Sequence, residues 1–154
     1  MVFKVSGLSP AAFAHLVGQP DEALAALGAR RVVADGAGYP DRIELRDAEP
    51  GETVLLVNYT HQPAATPFRA SHAVYVLEKA RTPAVFEDRL PPALARRLLS
   101  LRAFDADHML IDAEVVDGGE ADREIERMLA SPATAYLHAH YARQGCYAAL
   151  IERR

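Results

Sequence analysis

The sequence has little cysteine and no long apolar run. These two features argue against a disulfide-bonded protein and against a membrane-spanning one. Cys146 is the single cysteine in 154 residues, so no disulfide can form within the chain, as is typical of proteins kept in a reducing compartment. The residues after Met1 lack the charged start and apolar run of a signal peptide. The longest apolar stretches, such as residues 54–57, are far too short to span a bilayer. We therefore expect a cytoplasmic protein without a membrane partner.

The sequence also lacks a strong excess of either charge. It has 17 basic and 21 acidic residues, for a formal net charge of −4. Nucleic-acid-binding modules usually have a basic balance or a basic stripe, whereas the basic residues here are scattered in runs no longer than Arg30-Arg31. Half of the residues are hydrophobic and a quarter are charged, as in an average globular protein. The sequence predicts one folded domain over residues 1–154 and no nucleic-acid partner.

Short strands joined by turns dominate the predicted secondary structure. Strands are predicted at residues 3–6, 31–34, 42–46, 53–59, 73–78, 98–104, 109–116, 135–142 and 146–152. Helices are predicted after Ser9-Pro10, at residues 21–27, at Pro91-Pro92 and from Asp117 to residue 130, where Ile125, Met128 and Leu129 share one face. Because turns join most successive strands, the pattern favours an α+β domain, a mainly antiparallel sheet with short helices packed on it.

Two hairpins are predicted with defined strands, and the second carries candidate site residues. Residues 42–46 and 53–59 are predicted to pair with each other. The glycine-containing loop 143–145 is predicted to pair His138 with Leu150 and His140 with Ala148. One face then holds Tyr136, His138, His140 and Cys146, and the core face holds Leu137, Ala139, Tyr141, Tyr147, Ala149 and Ile151. A register change by one residue would exchange one strand's faces, but the two histidines, two residues apart, share a face in either case.

Seven segments together resemble one bacterial family. They read GYPDR at 38–42, DAEPGE at 47–52, LL at 55–56, NYTHQ at 58–62, SHA at 71–73, LRAFD at 101–105 and AHYARQGCY at 139–147. With them the chain resembles the DUF1203 family, a domain of unknown function, over nearly its whole length. The resemblance implies a single-domain bacterial protein and no particular activity. The resemblance also implies one departure, because the family pattern often has cysteine at the position of Asp41, so that a thiol–disulfide mechanism using Cys146 is not expected in this chain.

His138 and His140 are the first candidate site. Two histidines at this spacing on a strand can both reach a metal, with the Cys146 thiolate as a third ligand, or an imidazole can activate that thiol as a nucleophile. The alternative is that both histidines are ordinary hydrogen-bonded residues of a sheet covered by a helix or a loop, and that Cys146 is a small buried hydrophobe. Because no Cys-x-x-Cys or His-Glu-x-x-His motif is present, no metal is expected, no cofactor is indicated, and the two histidines are weak metal candidates.

The segment 61–72 is the second candidate, predicted to be a loop. It carries His61, Gln62, Arg69, Ser71 and His72. Arg69 with Ser71 can bind a carboxylate or phosphate, and an imidazole can act as general acid or base near neutral pH. The alternative is that Arg69 pairs with an acidic residue and that the histidines only tie the loop down.

Three other patterns have structural interpretations. Residues 36–38 lack the lysine and the helix of a phosphate-binding loop. Asp105, Asp107 and Asp112 lack the spacing of a calcium-binding EF-hand and indicate a charged hairpin turn. Arg42 and Arg102, on or beside predicted strands, are expected to be ion-pair partners.

Two functional hypotheses remain open at this level. The first is a small-anion binding or enzymatic site where the 61–72 segment meets the face of His138 and His140, with Arg69 or Arg143 as the anion clamp. A histidine, His72 included, would then donate or accept the proton. The second is a non-catalytic interaction or homo-oligomerisation domain, because many short strands leave sheet edges that need covering.

Overall fold

The chain folds into two antiparallel β-sheets with short helices packed against them. The structure is a computed structural model that describes residues 2–154. Its strands are β1 (Phe3–Ser6), β2 (Arg30–Val33), β3 (Thr53–Gln62), β4 (Ala70–Leu77), β5 (Val85–Glu87), β6 (Leu98–Phe104), β7 (Leu110–Asp117), β8 (Tyr136–Tyr141) and β9 (Tyr147–Arg153). Its α-helices are α1 (Asp21–Ala26), α2 (Pro92–Ala95) and α3 (Ala121–Ala130), with 3₁₀ helices at Pro10–Phe13 and Gly118–Glu120. The predicted α+β class is confirmed.

The larger sheet has six strands in the order β5-β1-β9-β8-β6-β7. Its hairpin of β6 and β7 was predicted from the sequence and is confirmed. Helix α3 packs on one face of this sheet and buries Ile125, Met128 and Leu129, the three residues that its periodicity placed on one side. This face and the helices α2 and α3 form one hydrophobic core. The opposite face of β6 and β8 carries His138, His140 and Arg102.

The smaller sheet has the order β2-β3-β4 and packs with the N-terminal helices into a second core. Ser9 caps the first 3₁₀ helix by accepting a hydrogen bond from the amide of Ala11, as its type predicts. Leu24 is buried as expected, but Leu27, also predicted to point inward, is 61% exposed. The reason is that α1 ends at Ala26, so Leu27 lies beyond the last helical turn.

The predicted hairpin between residues 42–46 and 53–59 is wrong, because β3 pairs with β2 and β4 instead. Residues 42–46 form a compact turn. Its ends are closed by a hydrogen bond from the Asp41 amide to the Arg46 carbonyl at 2.9 Å. Within it Leu45 adopts a φ of 59°, which is incompatible with a strand. The alternation of this segment comes from Ile43 and Leu45, which are buried in different cores.

The predicted loop at 61–71 is shorter than expected, because β3 continues to Gln62 and β4 begins at Ala70. His61 is the extra residue of a β-bulge, since Thr60 pairs with Ser71 and Gln62 pairs with Ala70. A bulge re-aims the side chain at its position and is often found beside functional sites. His61 thus enters the structure on a strand that covers the histidine face of the larger sheet.

A second bulge lies in the last hairpin. The predicted pairing of His138 with Leu150 is confirmed, but His140 pairs with Tyr147 and leaves Ala148 as the extra residue. The bulge exchanges the faces of the start of β9. Tyr147 therefore contacts the histidines, whereas Cys146, predicted on their face, belongs to the core on the other side. No helix within residues 2–154 is long and apolar enough to cross a membrane.

Candidate metal centre

Three histidines from two sheets converge between the sheets. His138 and His140 come from β8, and His61 comes from the bulge of β3. Each offers one ring nitrogen, and these three nitrogens lie within 4.8 Å of one another. Among residues 2–154 this is the group of histidine, cysteine or carboxylate side chains with the spacing of a metal site. The third member is thus His61, and not Cys146, the third ligand considered from the sequence.

Each of the three imidazole rings keeps a nitrogen that can serve as a metal ligand. The Nδ1 atom of His140 lies 2.9 Å from the carbonyl oxygen of Gly145, which fixes Nδ1 as the donor and leaves Nε2 with a lone pair. Metal-binding histidines commonly donate their other ring N–H in this way. The Nδ1 atoms of His61 and His138 are buried and have no hydrogen-bond partner among the described residues. A metal ion would give these buried nitrogens a partner, and an unpartnered buried polar atom is otherwise unfavourable.

The surroundings keep all three imidazoles neutral. Burial is the main cause, and it lowers the pKa of His61 to about 4 and the pKa values of His138 and His140 to about 3 each. The positive charge of Arg102 lowers all three pKa values further. Neutral imidazole is the form that binds metal. The site is therefore in its ligand form throughout the neutral pH range.

Aromatic rings hold the imidazoles in place. Tyr147 stacks on His61 with ring centroids 5.2 Å apart and an angle of 7° between the planes. The same tyrosine meets the rings of His138 and His140 edge to face, with centroids 5.1 and 5.8 Å away. Phe104 packs against His138 from the other side at 5.0 Å. These contacts restrict the histidine rotamers, as a preformed ligand set requires.

Arg102 is the charged neighbour of the histidines. It lies opposite His138 on the adjacent strand β6 and is half-buried. The sequence suggested that it would be an ion-pair partner, but no carboxylate of the described residues lies within 4.0 Å of its guanidinium. Its Nε donates to the hydroxyl of Ser100 at 3.3 Å. The site therefore carries a positive charge that the surrounding side chains do not neutralise.

A cavity of about 400 Å³ opens onto two of the three histidines. His61 and His138 line it together with Gln62, Pro63, Ala64, His108, Tyr136, Leu150 and Glu152. The hydroxyl of Tyr136 joins this wall, since it accepts from Gln62 Nε2 at 2.9 Å and lies 2.7 Å from His108 Nδ1. A small molecule entering the cavity would contact the side chains of His61 and His138.

The other candidates of the 61–72 segment lie in separate local networks. Arg69 is exposed and donates to the carbonyl of Pro63 within the loop. The Ser71 hydroxyl lies 2.8 Å from that of Thr60 across the β3–β4 pair. His72 is half-buried on β4, and its Nδ1 lies 3.3 Å from the carbonyl oxygen of Ala73. Arg69 and Ser71, predicted as an anion clamp, thus contact different neighbours and not each other.

Cys146 and Arg143 lie away from the three histidines. The Cys146 side chain is buried, and its sulfur accepts a hydrogen bond from Arg42 Nη2 at 3.1 Å. Arg42, suggested to be an ion-pair partner, is instead buried and donates to this sulfur and to two backbone carbonyls, those of Pro40 and Tyr147. Arg143 is exposed in the β8–β9 turn and lines a separate groove.

Two of the smaller sequence interpretations can be compared with the structure. Asp105 forms the predicted charged turn, because its Oδ1 accepts from the amides of Asp107 and Met109 at 2.9 and 3.0 Å. Asp41 is fully buried. Its carboxylate accepts from the Leu77 amide at 2.7 Å, and burial raises its pKa.

The sequence did not single out Arg102, Tyr147 or His108 as parts of a site. Each depends on which face of a strand or turn is presented, and the bulge at Ala148 is what turns Tyr147 towards the histidines. No residue of the adjacent turn predicts that bulge from the sequence. The pairing of His61 with the β8 histidines joins residues that are almost eighty positions apart, and such a contact leaves no local pattern in the sequence.

Comparison with known proteins identifies the family of the chain and no individual relative. A search of curated proteins and a search of solved structures each find no match to the chain. One family model, described as "Protein of unknown function (DUF1203)", matches residues 38–153. The match includes β3 and β8, the two strands that carry the three histidines, and leaves only the first 37 residues and the last one outside. The chain belongs to the DUF1203 family, as the resemblance of its segments suggested.

Proposed function

We propose that the protein binds a divalent transition metal, zinc in the first instance, through His61, His138 and His140. The observation that carries this is the convergence of three neutral ring nitrogens within 4.8 Å, two of the rings having a buried Nδ1 without a partner. In a tetrahedral zinc site with Zn–N bonds of about 2.05 Å, ligand nitrogens lie roughly 3.3 Å apart. The histidine nitrogens would therefore draw together by up to about 1.5 Å on binding.

A metal held by three histidines keeps one coordination position open. This arrangement is typical of catalytic zinc, whereas structural zinc usually has four protein ligands. The cavity of about 400 Å³ beside His61 and His138 supplies the space for an exogenous ligand. A metal there would supply Lewis-acid chemistry to a molecule bound in the cavity. The nearby Glu152 and His108 are side chains able to exchange a proton with such a molecule.

The charge of the site supports an anionic ligand. Three neutral imidazoles leave the two positive charges of a divalent ion unbalanced, and Arg102 adds a third positive charge without a carboxylate partner. A small anion in the open position would balance part of this charge, of which the Glu152 carboxylate in the cavity wall already offsets one unit. The small-anion hypothesis drawn from the sequence thus finds support at this centre, with Arg102 in the role considered for Arg69 or Arg143.

Metal content of the untagged protein is the direct test. We expect about one equivalent of zinc or another transition metal by inductively coupled plasma mass spectrometry after expression in supplemented medium. His61→Ala and His138→Ala should each weaken zinc affinity at least ~100-fold, because loss of an outer-shell partner alone produces ~10–100-fold. His15→Ala is the matched control, since His15 is exposed and away from the site. Equal zinc uptake by the wild type and both site variants, with all three folded by circular dichroism, would sink the proposal.

The anion is tested separately with cobalt in place of zinc. Azide should change the visible spectrum of the cobalt protein, because it would enter the open position. In Arg102→Gln the metal should bind as in the wild type, and azide should bind about 10-fold more weakly, since one charge-assisted contact is lost. A cobalt spectrum that azide leaves unchanged would limit the site to metal binding.

The interaction domain remains the second candidate, favoured by the apolar side chains on an outer strand. On β7, which ends the larger sheet, Ile111 and Val115 are 42% and 56% exposed. The same strand also carries Asp112 and Glu114, whose like charges would oppose edge-to-edge pairing of two copies. Light scattering over a wide concentration range decides this point. A dimer whose formation Val115→Lys abolishes would support homo-oligomerisation, and a monomer at every concentration would contradict it.

A further inference from the structure

A second cavity lies where the two sheets meet the turn of residues 38–47. Its volume is about 260 Å³. The three proposed metal ligands are not among the residues that line it. Most of its wall is apolar, with Leu56, Ala73 and Tyr75 from the smaller sheet and Pro40 from the turn. Apolar walls with a few convergent polar groups are the usual form of a small-molecule site.

One of the polar groups is a buried guanidinium without a carboxylate partner. Arg42 is 2% exposed, and among the described residues its hydrogen bonds go to the carbonyls of Pro40 and Tyr147 and to the sulfur of Cys146. The three bonds use one N–H of each nitrogen, so Nη1 and Nη2 each keep a second N–H. A buried cation is normally matched by an anion. Arg42 thus has both the charge and the free donors to hold one.

The second polar group belongs to Tyr141, a residue that lines the same cavity and whose hydroxyl oxygen is itself buried. Tyr141 is 2% exposed, and its hydroxyl has no hydrogen-bond partner among residues 2–154. Burial raises its pKa to about 12, so the group is a protonated donor at neutral pH. The guanidinium carbons of Arg42 and Arg97 lie 5.0 and 5.2 Å from the centre of its ring. The unpartnered donor therefore lies in positively charged surroundings.

The approach to the cavity is also basic. A neighbouring groove of about 450 Å³ shares Arg97, Tyr141 and Gln144 with the cavity and is lined in addition by Arg96, Leu98, Asp117 and Arg143. Asp117 and Asp47 neutralise part of this charge, and Asp47 pairs with both Arg96 and Arg97 at 2.9 and 2.7 Å. Arg143 is exposed, and no carboxylate of the described residues pairs with it. Such a groove raises the local concentration of anions at the cavity mouth.

We propose that this cavity binds a small organic carboxylate with an apolar body. The body lies against Leu56, Pro40 and Tyr75, and the carboxylate takes hydrogen bonds from Arg42 and from the Tyr141 hydroxyl. The apolar wall favours such a molecule over inorganic phosphate, which would leave that wall without a contact. The site shares none of the three proposed metal ligands, and its link to them is the hydrogen bond from Arg42 to the carbonyl of Tyr147, whose ring contacts the histidines.

Benzoate is the probe, with benzamide as its neutral counterpart of the same shape. Titrations are followed by ¹H–¹⁵N NMR on protein dialysed against a chelator, so that the result does not depend on the metal. We expect benzoate to bind at least about 10-fold more tightly than benzamide, because both can accept a hydrogen bond from Arg42 but only the carboxylate also carries a negative charge. The amides of Tyr75 and Cys146 should shift most.

Two variants locate the interaction. Tyr141→Phe should weaken benzoate binding at least about 10-fold, the effect of one hydrogen bond to a charged acceptor, and should weaken benzamide binding less, because its carbonyl is a neutral acceptor. Arg42→Met should remove the preference for the carboxylate. Arg42→Met can disturb the fold. If it does not fold, the proposal is tested by Tyr141→Phe alone. Arg69→Met, an arginine outside the cavity, is the control and should bind as the wild type does.

The result that overturns the inference is well defined. Benzoate that binds no tighter than benzamide, or that shifts only residues outside the cavity, would show that Arg42 is a structural strut between the turn and β9. Unchanged benzoate binding by folded Tyr141→Phe would show that the hydroxyl takes no part. These outcomes leave the metal proposal untouched, because all measurements are made without metal.

Discussion

The ring of His61 lies parallel to the ring of Tyr147, 5.2 Å from it, although the two residues belong to different sheets. Each is placed by a β-bulge, His61 by its own and Tyr147 by the bulge at Ala148. The stack is one of the places where the smaller sheet closes over the histidine face of the larger one. It therefore links stability of the interface between the sheets to the geometry of the proposed metal ligands.

Removing the Tyr147 ring should affect both properties. Tyr147 is 3% exposed, and Tyr147→Ala leaves a cavity among three imidazoles. We expect the free energy of unfolding to fall by about 3–5 kcal/mol, as for other buried aromatic residues cut to alanine. Tyr147→Phe keeps the ring and should change it by less than about 1.5 kcal/mol. Urea unfolding followed by circular dichroism compares the variants, and equal stability of the two would contradict a packing role for the ring.

Stability should depend on pH through the three histidines. Their pKa values are lowered in the folded protein to about 4, 3 and 3, against about 6.5 in the unfolded chain. Between these values the unfolded chain binds more protons than the folded one. Their contribution is therefore complete above about pH 6.5 and is lost progressively as the pH falls towards 3–4. The slope in this window is at most roughly 1.4 kcal/mol per pH unit for each histidine.

A variant with one histidine fewer tests this assignment. His138→Phe keeps a ring beside Phe104 and Tyr147 but cannot take up a proton. Urea unfolding in metal-free buffer between pH 8 and pH 4 should show a shallower loss of stability for His138→Phe than for the wild type. His15→Gln, at an exposed position, should follow the wild type. A curve for His138→Phe that parallels the wild type would mean that His138 is not held neutral by burial.

The sequence predicted those parts of the fold that depend on local patterns. The helix α3 and the hairpin of β6 and β7 follow from periodicity and turn residues, and both are present. The segment 42–46 failed because its alternation has a non-local cause. Arg42 there is buried against the carbonyl of Tyr147, 105 positions along the chain. Alternating burial looks the same whether a residue lies in a strand or in a turn packed between two cores.

The part of the candidate site that depends on a local pattern was predicted, and the part that depends on long-range pairing was not. His138 and His140 lie two apart on one strand, so their shared face follows from the period of a β-strand. An unbroken hairpin predicts Cys146 on that face, and the bulge at Ala148 reverses this. The sequence predicts a loop at His61, because the strand pairing that carries it continues past the residues whose pattern predicts a strand.

Two neighbouring glycines offer a matched test of close packing at the start of α3. A Cβ atom on Gly118 would lie 2.2 Å from the carbonyl oxygen of Leu94, whereas one on Gly119 would meet only the Asp117 side chain at 3.4 Å. Gly118→Ala should therefore lower the free energy of unfolding by at least about 1–3 kcal/mol, because backbone must move. Gly119→Ala should have a much smaller effect. Equal melting temperatures for the two variants would show that the backbone of α2 around Leu94 can move aside at little cost in stability.

Tyr141→Phe should separate ligand binding from stability, because its hydroxyl has no partner within the described residues. Removing a buried unpartnered hydroxyl takes away a group that is unfavourable to bury, at about 1–3 kcal/mol. We expect the free energy of unfolding of Tyr141→Phe to be unchanged or higher by about 1 kcal/mol, measured without added carboxylate. A loss of more than about 1 kcal/mol would mean that the hydroxyl is hydrogen-bonded inside the free protein. In that case it is not available as the donor to a carboxylate, and the anchor of the cavity reduces to Arg42 alone.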